Sequence, residues 1–264
     1  MKTRIFLGSM SLLLLMSCNI NIPIEVTQKP KDIVYGEFTD SRDGNVYKTI
    51  QIGNQTWMAE NLRYMPEVYP IDNAYRGKSR YYVYNYNGND VKEARLHKVY
   101  DANIGKYSNE STWYSFGTLY NNTAAQSAAP AGWRLPTKAD FQELFDYLKA
   151  KYGGDRQIYA AALLSQESYN MNWNRDGGKS WKQYPWFGAT GFDAMPAGYV
   201  SVGGGSYSSD IGSDTYYWIS DTEYSSVCYF RMSGNLVGGY NLYFNSHRNE
   251  DRDWYGYSVR CIKK

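Results

Sequence analysis

The sequence predicts an α+β domain with one main helix, a shorter second helix and antiparallel strands. Three observations support this class. A capped amphipathic stretch begins at Thr137, residues 46–52 alternate between apolar and polar side chains, and the C-terminal region contains four segments with strand character. No linker is recognisable after the first part of the chain, so these elements are assigned to a single domain over residues 36–264.

Residues 1–17 are predicted to be a targeting signal and not part of the fold. Lys2 and Arg4 form its basic end, and the apolar run that follows is too short to span a bilayer comfortably. Ser17 is a small residue directly before Cys18, as in a bacterial lipobox, so Cys18 is predicted to be lipidated. The alternative is an ordinary secretory signal that contains a cysteine.

The predicted mature chain is formally neutral. The whole sequence carries 28 Lys and Arg against 26 Asp and Glu, and the signal removes Lys2 and Arg4. A nucleic-acid-binding protein needs a sustained positive field, so we expect no nucleic-acid partner. A second apolar run of membrane-spanning length is absent from the sequence, so membrane contact is expected through the lipid on Cys18, and Asn19 favours the outer membrane.

Residues 18–35 mix Pro, Lys and isolated apolar residues, and they are predicted to be a tether between the lipid and the domain. An edge strand at Ile24–Val26 is the alternative. The domain then opens with a strand in which Val46, Lys48, Ile50 and Ile52 share one face. We expect Glu60 and Asn61 to satisfy backbone groups near a buried tryptophan rather than to act on a substrate.

Residues 65–112 are rich in Tyr. The whole chain contains 28 tyrosines. The region is interpreted as one short hairpin with a surface excursion, which is either a ligand surface or simple decoration of the fold. Tyrosine combines a rigid apolar face with a polar tip, and is useful at binding surfaces and common in sheet-rich envelope proteins.

The main helix has the clearest signals. Thr137 is the predicted N-cap, and Asp140 completes a capping box. A buried stripe is predicted at Phe141, Leu144, Phe145 and Leu148. The shorter helix is predicted at Gln157–Leu164. The late strands are predicted at Tyr216–Ser220, Val227–Met232, Leu242–Phe244 and Tyr257–Ile262, with Val259 and Cys261 facing one side of the last strand and Arg260 the other.

Several blocks of the sequence resemble one known family. They are "DGNVY" leading to "IGNQTWMAENL", then "GTLYNNTAA", "PAGWRLPT", "GATGFDAMPAGY" and the closing "GYSVRCIK". This pattern is similar to the Fibrobacter succinogenes major paralogous domain, which is common in envelope lipoproteins. The resemblance implies a C-type lectin-like fold, as in the sulfatase-modifying factors that generate formylglycine. Most of the family has no assigned activity, so the resemblance implies a fold and not a ligand.

The resemblance bears on the cysteines and on enzyme chemistry. Cys228 and Cys261 lie on neighbouring predicted strands of an exported protein, which suggests a disulfide. The family usually has a cysteine where this chain has Ala129. Formylglycine-generating relatives use closely spaced cysteines, and iron-dependent relatives need a histidine cluster, whereas this chain has His97 and His247 alone. We therefore expect no catalytic residues.

The remaining expectation is a lipid-anchored binding or adhesion module. Three tryptophans, Trp173, Trp181 and Trp186, are candidate ligand-binding residues for a glycan, although they could equally be core. Another surface protein is the second candidate partner. No cofactor is expected; calcium held by acidic residues of the C-terminal loops is a weak hypothesis, with solvated loop charge as its alternative. A degenerate enzyme and a structural component of a surface assembly are the alternative functions.

Overall fold

A computed structural model describes residues 33–71, 77–101, 106–107, 110–153, 161–165, 186–202, 205–223, 226–236, 239–248 and 251–264, and in parts of the late strands it describes the backbone alone. The helices are α1 (Val91–Leu96), α2 (Thr112–Phe116), α3 (Asn122–Ala125) and α4 (Lys138–Tyr152). The strands are β1 (Gly36–Thr39), β2 (Val46–Ile52), β3 (Gln55–Met58), β4 (Tyr81–Tyr82), β5 (Tyr100–Asp101), β6 (Lys106–Tyr107), β7 (Leu119–Tyr120), β8 (Trp133–Arg134), β9 (Ala197–Ser201), β10 (Tyr207–Ile211), β11 (Asp214–Glu223), β12 (Ser226–Leu236), β13 (Gly239–Arg248), β14 (Tyr255–Gly256) and β15 (Ile262–Lys263).

Two sheets organise these strands. The first has the order β1-β2-β3-β15-β8 and is antiparallel throughout. The second has the order β10-β9-β11-β12-β13, with β14 also pairing with β9, and its β9–β11 pair is parallel. Two short ladders, β4–β7 and β5–β6, complete the pairing. The chain is therefore α+β and mainly antiparallel β, which confirms the predicted class at that level.

The start of α4 confirms the predicted capping box. The Thr137 hydroxyl accepts a hydrogen bond from the backbone N–H of Asp140, and the Asp140 carboxylate accepts one from the backbone N–H of Thr137 at 2.6 Å. Arg134 donates two further bonds to the same carboxylate, at 2.6 and 2.7 Å. The predicted stripe is buried, and the Phe141 ring lies 5.2 Å from that of Trp57. Local cap chemistry thus aligns α4 with the core.

The C-terminal segment is not the single strand that the sequence predicts at Tyr257–Ile262. Instead, β14 and β15 flank an irregular stretch that crosses between the two sheets. Its backbone pairs with Tyr120 of β7 and with Tyr217 of β11 in the six-stranded sheet. Further along, its carbonyls accept hydrogen bonds from Leu62 and Met58 on the five-stranded side. One strand cannot follow both sheets, so the ladder breaks between them.

Arg260 sits in this crossing and is fully buried. Its guanidinium donates to the carbonyls of Met58, Phe192 and Asp193, and it binds the side-chain oxygen of Asn61 at 2.6 Å. Asn61 in turn donates to the carbonyl of Phe116 at 2.8 Å. The structural role predicted for Asn61 is confirmed, as is the opposite facing of Arg260 and its neighbours, because Val259 and Cys261 pack in a separate apolar cluster.

The Tyr-rich region contributes to the core, contrary to its interpretation as a surface excursion. Within its described part, Tyr82, Tyr84 and Tyr86 are buried, and they pack in two apolar clusters with α2 and β9 among their neighbours. The sequence analysis also missed α1. Its signal is Asp90, whose side chain accepts from two backbone N–H groups of the first turn.

The facing predicted for β2 is wrong in its first half. Tyr47 is fully buried, whereas Val46 is 48% exposed. The buried face changes at Ile50, so that Ile50 and Ile52 point inward as predicted. Tyr47 is held by the backbone N–H of Arg63, which donates to its hydroxyl at 2.9 Å, and by the Arg63 guanidinium, 4.6 Å from its ring centroid. Tyr47 is buried in preference to Val46 because its hydroxyl has a hydrogen-bond partner in the core.

The tether boundary differs from the sequence analysis, and the second helix is described only in part. Ile33 and Tyr35, which it places in the tether, pack against the core around Trp57, and the Tyr35 hydroxyl donates to Asp193 at 2.5 Å. Residues 161–163, the end of the predicted second helix, are helical and buried, while residues 157–160 lie outside the described part. The alternative strand at Ile24–Val26 also lies outside it.

In the described ranges, every helix is too short or too polar to cross a bilayer.

Replacing Arg260 by methionine should destabilise the fold by about 3 kcal/mol or more, because it leaves the side chain of Asn61 and several buried carbonyls without a donor. Urea denaturation followed by circular dichroism measures the change. The matched control is Arg248→Met, because Arg248 is 77% exposed in its surface ion pair and should lose less than about 1 kcal/mol. Equal midpoints for the two variants would contradict the role of Arg260.

Removing the N-cap hydroxyl should weaken α4. We expect Thr137→Ala to cost about 1 kcal/mol, because the N–H of Asp140 loses its acceptor. Thr137→Ser keeps the hydroxyl and should stay within a few tenths of a kcal/mol of the parent. Thermal melts of the three proteins compare them, and an alanine variant as stable as the serine variant would show that the cap contributes nothing.

Candidate functional site

The structure describes part of the predicted site. Trp186 is half-buried, and its ring lies 5.0 Å from that of Tyr152, the last residue of α4. Trp173, Trp181 and Cys18 lie outside the described residues. The tryptophan group therefore stays a prediction, with one member packed against a helix.

The predicted disulfide disagrees with the structure. Cys261 is fully buried and is a free thiol, and its burial raises the pKa of the thiol to about 12. Cys228 lies in β12, and its side chain is outside the described part of the chain. Cys261 belongs to the same apolar cluster as Met58 and Trp133 of the five-stranded sheet. It behaves as a small core residue, so the inference from an exported cysteine pair is not supported.

An aromatic surface forms on the six-stranded sheet. Tyr207 of β10 and Tyr255 of β14 pair with Ser201 from opposite sides of β9. Tyr199 precedes Ser201 by two residues and so lies on the same face of the sheet. His247 of β13 stacks on Tyr255, with ring centroids 4.2 Å apart and planes 7° apart. We call Tyr199, Tyr207, Tyr255 and His247 the tyrosine surface.

The tyrosine surface combines exposed ring area with polar tips. Tyr207 is 48% exposed, and the other three side chains are half-buried. The rings of Tyr207 and Tyr255 lie 6.0 and 6.2 Å from that of Tyr199. The hydroxyls of Tyr199 and Tyr207 are 3.3 Å apart, within reach of a shared hydrogen bond. A flat ligand with hydroxyl groups would find both stacking area and hydrogen-bond partners here.

A buried aromatic layer supports this surface from below. Tyr257 stacks on Tyr216 at 5.0 Å and contacts Trp218 at 4.7 Å. The Tyr257 hydroxyl and the Nε2 atom of His247 are hydrogen-bonded at 2.6 Å. The indole N–H of Trp218 donates to the carbonyl of Tyr120 at 2.7 Å. Because each polar tip has a partner, the layer fixes the orientation of the rings above it.

Asp210 has a strained backbone conformation at the edge of the layer. It has φ of 65°, an uncommon conformation for a residue other than glycine, and its carboxylate accepts hydrogen bonds from Tyr216 at 2.6 Å and Ser209 at 2.7 Å. Gly198 lies alongside, where an added Cβ would come within 2.1 Å of the Ser209 carbonyl. Burial and the bond to Asp210 raise the pKa of Tyr216. Such local strain is common beside binding sites.

An ion pair flanks the same layer. Arg231 of β12 donates to one oxygen of Asp214 at 3.1 and 3.2 Å, and the Ser213 hydroxyl donates to the other oxygen at 2.9 Å. Asp214 is fully buried, whereas the Arg231 side chain is 33% exposed. The guanidinium also lies 5.1 Å from the Tyr216 ring centroid. The positive charge of Arg231 thus compensates the negative charge of the buried Asp214.

Burial keeps His247 uncharged. It lowers the pKa of His247 to about 4, against a small opposing effect from the charge of Asp251. The ring therefore remains neutral at neutral pH, and one of its nitrogens carries a proton while the other can accept one. A general base that works near pH 7 needs a pKa near that value, which His247 does not have.

Two of the acidic residues considered for calcium accept hydrogen bonds from the protein. Asp221 accepts from the backbone N–H of Lys138 at the start of α4. Asp253 is fully buried and accepts from Gly77 and Thr123. Among the described residues, no group of three His, Cys, Asp or Glu side chains could hold a metal ion.

A concave feature lies beside α4, away from the tyrosine surface. It is a shallow cleft of about 600 Å³ between the β2–β3 turn and the helix, lined by Gln51, Ile52, Gly53, Asn54, Gln55, Glu143, Asp146 and Tyr147. A Cβ on Gly53 would come within 3.0 Å of the Tyr147 ring, so the ring packs closely over the turn. The cleft offers one aromatic ring, whereas the tyrosine surface combines four adjacent rings.

Sequence reasoning missed the tyrosine surface because its members are far apart in the chain. Tyr199, Tyr207, His247 and Tyr255 belong to four strands, and the register on Ser201 brings three of them together. Single tyrosines in strands are ordinary in sequence, so their alternation alone gives no functional signal. The sequence does place Tyr199 and Ser201 on one face of a strand. That shared face indicates a surface only once the strands that pair with β9 are known.

Comparison with known proteins yields one result. The model of a family described as the Fibrobacter succinogenes major domain matches residues 50–263, which is most of the chain. Comparison with curated proteins and with solved structures finds no match. The matched range includes the tyrosine surface and the residues that support it.

The neutral His247 makes the fold sensitive to acid. Its folded pKa lies below the unfolded value of 6.5, so the unfolded chain binds more protons as the pH falls from about 6.5 to 4. This contribution to stability is complete above pH 6.5 and is lost below it, by roughly 3 kcal/mol at pH 4.

The measurement is urea denaturation from pH 4 to pH 8 for the parent and His247→Gln, which removes the titrating ring. We expect the parent to lose more stability than the variant over this interval. Carboxylates titrate in both proteins and cancel in the comparison. Parallel pH profiles would show that His247 does not titrate as its burial requires.

Proposed function

The chain belongs to the Fibrobacter succinogenes major domain family, and on that premise we propose that it is a non-catalytic binding module that holds a glycan on its tyrosine surface. We further propose that the module is anchored in the outer membrane through a lipid on Cys18. The family membership leaves both the function and the ligand open. The local geometry of Tyr199, Tyr207, Tyr255 and His247 supports the glycan-binding proposal, and the small residue Ser17 directly before Cys18 supports the proposed lipid anchor.

One observation carries the proposal, namely the clustering of four adjacent aromatic rings with hydroxyl groups at its rim. Sugars present C–H groups on their ring faces and hydroxyls at their edges. Aromatic rings attract the C–H groups through the negative charge of their faces, and phenol hydroxyls can pair with the sugar hydroxyls. Tyrosine is rigid, so it loses little conformational freedom on binding.

A protein partner is less well supported. Apart from Tyr207, the large apolar side chains exposed at the described surface include Val34, Val46, Leu96, Tyr114 and Tyr147, and none of them belongs to the tyrosine surface. The tyrosine surface has a polar rim, which suits a hydroxyl-rich ligand better than the apolar centre of a protein interface.

The test is binding of the full chain, purified in mild detergent, to a glycan array, followed by calorimetry on the glycans that bind. We expect Tyr207→Ala and Tyr255→Ala each to weaken binding about tenfold or more, because each removes stacking area. The matched control is Tyr114→Ala, since Tyr114 on α2 is 55% exposed and outside the tyrosine surface. It should bind like the parent.

The array also compares the two aromatic candidates. Tyr207→Phe keeps the ring and loses one hydroxyl, so it should retain most of the affinity lost by Tyr207→Ala. Trp186→Ala should leave binding unchanged if the tyrosine surface is the site. The proposal would be refuted by folded protein that binds no glycan, or by binding that survives loss of both Tyr207 and Tyr255.

A further inference from the structure

We infer that the tyrosine surface selects uncharged sugars and disfavours carboxylated or sulfated ones, an inference that rests on the proposed glycan binding. It concerns the chemical class of the ligand and follows from the charges around the rings. Three observations support it, from the sequence of the strands, from the pairing of the arginines and from the position of Asp210.

The strands that carry the tyrosine surface are nearly free of charged residues. Residues 194–209, which include β9 and the start of β10, contain no Asp, Glu, Lys or Arg. Residues 232–247, which run through the β12–β13 hairpin to His247, contain none either. An anionic sugar would therefore meet no basic side chain from these two stretches.

Arg231 and Arg248 border the second stretch, Arg252 lies three residues before Tyr255, and each of the three is paired with an aspartate. Arg231 lies 3.1 Å from Asp214, Arg248 lies 3.4 Å from Asp251 and Arg252 lies 3.6 Å from Asp253. Recruiting Arg231 to a carboxylate ligand would leave the fully buried Asp214 without its guanidinium, whereas the exposed pair of Arg248 contributes little.

Asp210 leaves a surplus of negative charge at this place. Its carboxylate accepts hydrogen bonds from two hydroxyls, and the nearby positive charge of Arg231 is shared with Asp214, so that two aspartates face one guanidinium. The ring faces of the tyrosine surface are also electron-rich, so they attract cations and C–H groups and repel anions. An uncharged sugar meets none of this repulsion and still gains the stacking area and the hydroxyl partners.

Matched glycans test the inference with the full chain in mild detergent. Each neutral oligosaccharide is paired with the same backbone oxidised to the uronic acid at C6, for glucan, galactan and mannan series. We expect the neutral form of the bound series to bind at least tenfold more tightly than its uronic form. Its affinity should change less than twofold between 50 and 500 mM salt, because screening acts on charge.

The outcomes separate this inference from the proposed function. Tighter and salt-sensitive binding of the uronic forms would overturn the selection of uncharged sugars while leaving glycan binding intact. Equal affinities for the two forms would overturn it as well. Binding of neither form, by folded protein and in any series, would overturn the proposed function and this inference with it.

A variant with an added positive charge provides an independent test. Asn245 is exposed and lies two residues before His247, on the same face of β13. Asn245→Lys should raise the affinity for the uronic forms at least threefold, in a salt-sensitive way, and leave the neutral forms within twofold. The matched control is Gln51→Lys, on the exposed side of β2. Uronic binding that does not respond to Asn245→Lys, or responds equally to the control, would overturn the inference.

Discussion

A buried guanidinium must have its donors satisfied, and this requirement fixes the centre of the fold. Arg260 meets it with carbonyls of Met58, Phe192 and Asp193 and with the side chain of Asn61. These acceptors lie on separate segments that a regular ladder would not bring together. The backbone around Arg260 is irregular because it serves both sheets, and the long side chain compensates by joining the segments that the crossing leaves apart.

The same crossing segment connects the core to the tyrosine surface. Tyr255 belongs to that surface, Tyr257 lies in the layer beneath it, Arg260 is in the core and Ile262 pairs with the five-stranded sheet. Displacing the segment would therefore move surface and core together. A platform held in this way is already ordered before a ligand arrives, which reduces the conformational entropy lost on binding.

Sequence patterns that span a few residues predicted helix α4 and its cap well. They could not predict which distant segments of the chain pair. The cap at Thr137 and Asp140 and the stripe of α4 depend on residues a few positions apart, so the sequence contains the whole pattern. The crossing near Arg260 and the grouping of Tyr199 with Tyr255 depend on which strands pair and in which register. The density of tryptophan drew attention to Trp173, Trp181 and Trp186, of which Trp186 packs against Tyr152. Composition identifies aromatic residues, but register decides which of them share a surface.

Three groups of the aromatic cluster are uncharged at neutral pH, which supports the proposed binding function. Burial lowers the pKa of His247 to about 4, and burial together with hydrogen bonding raises the pKa values of Tyr199 and Tyr216 above the ordinary value. Each shift moves the pKa of its group further from pH 7. All three groups are therefore uncharged around pH 7. An acid–base catalyst needs the opposite arrangement, with a group that gains and loses a proton near the working pH. A surface whose groups stay uncharged is instead suited to stacking and hydroxyl pairing, and its affinity for an uncharged ligand should vary little across physiological pH.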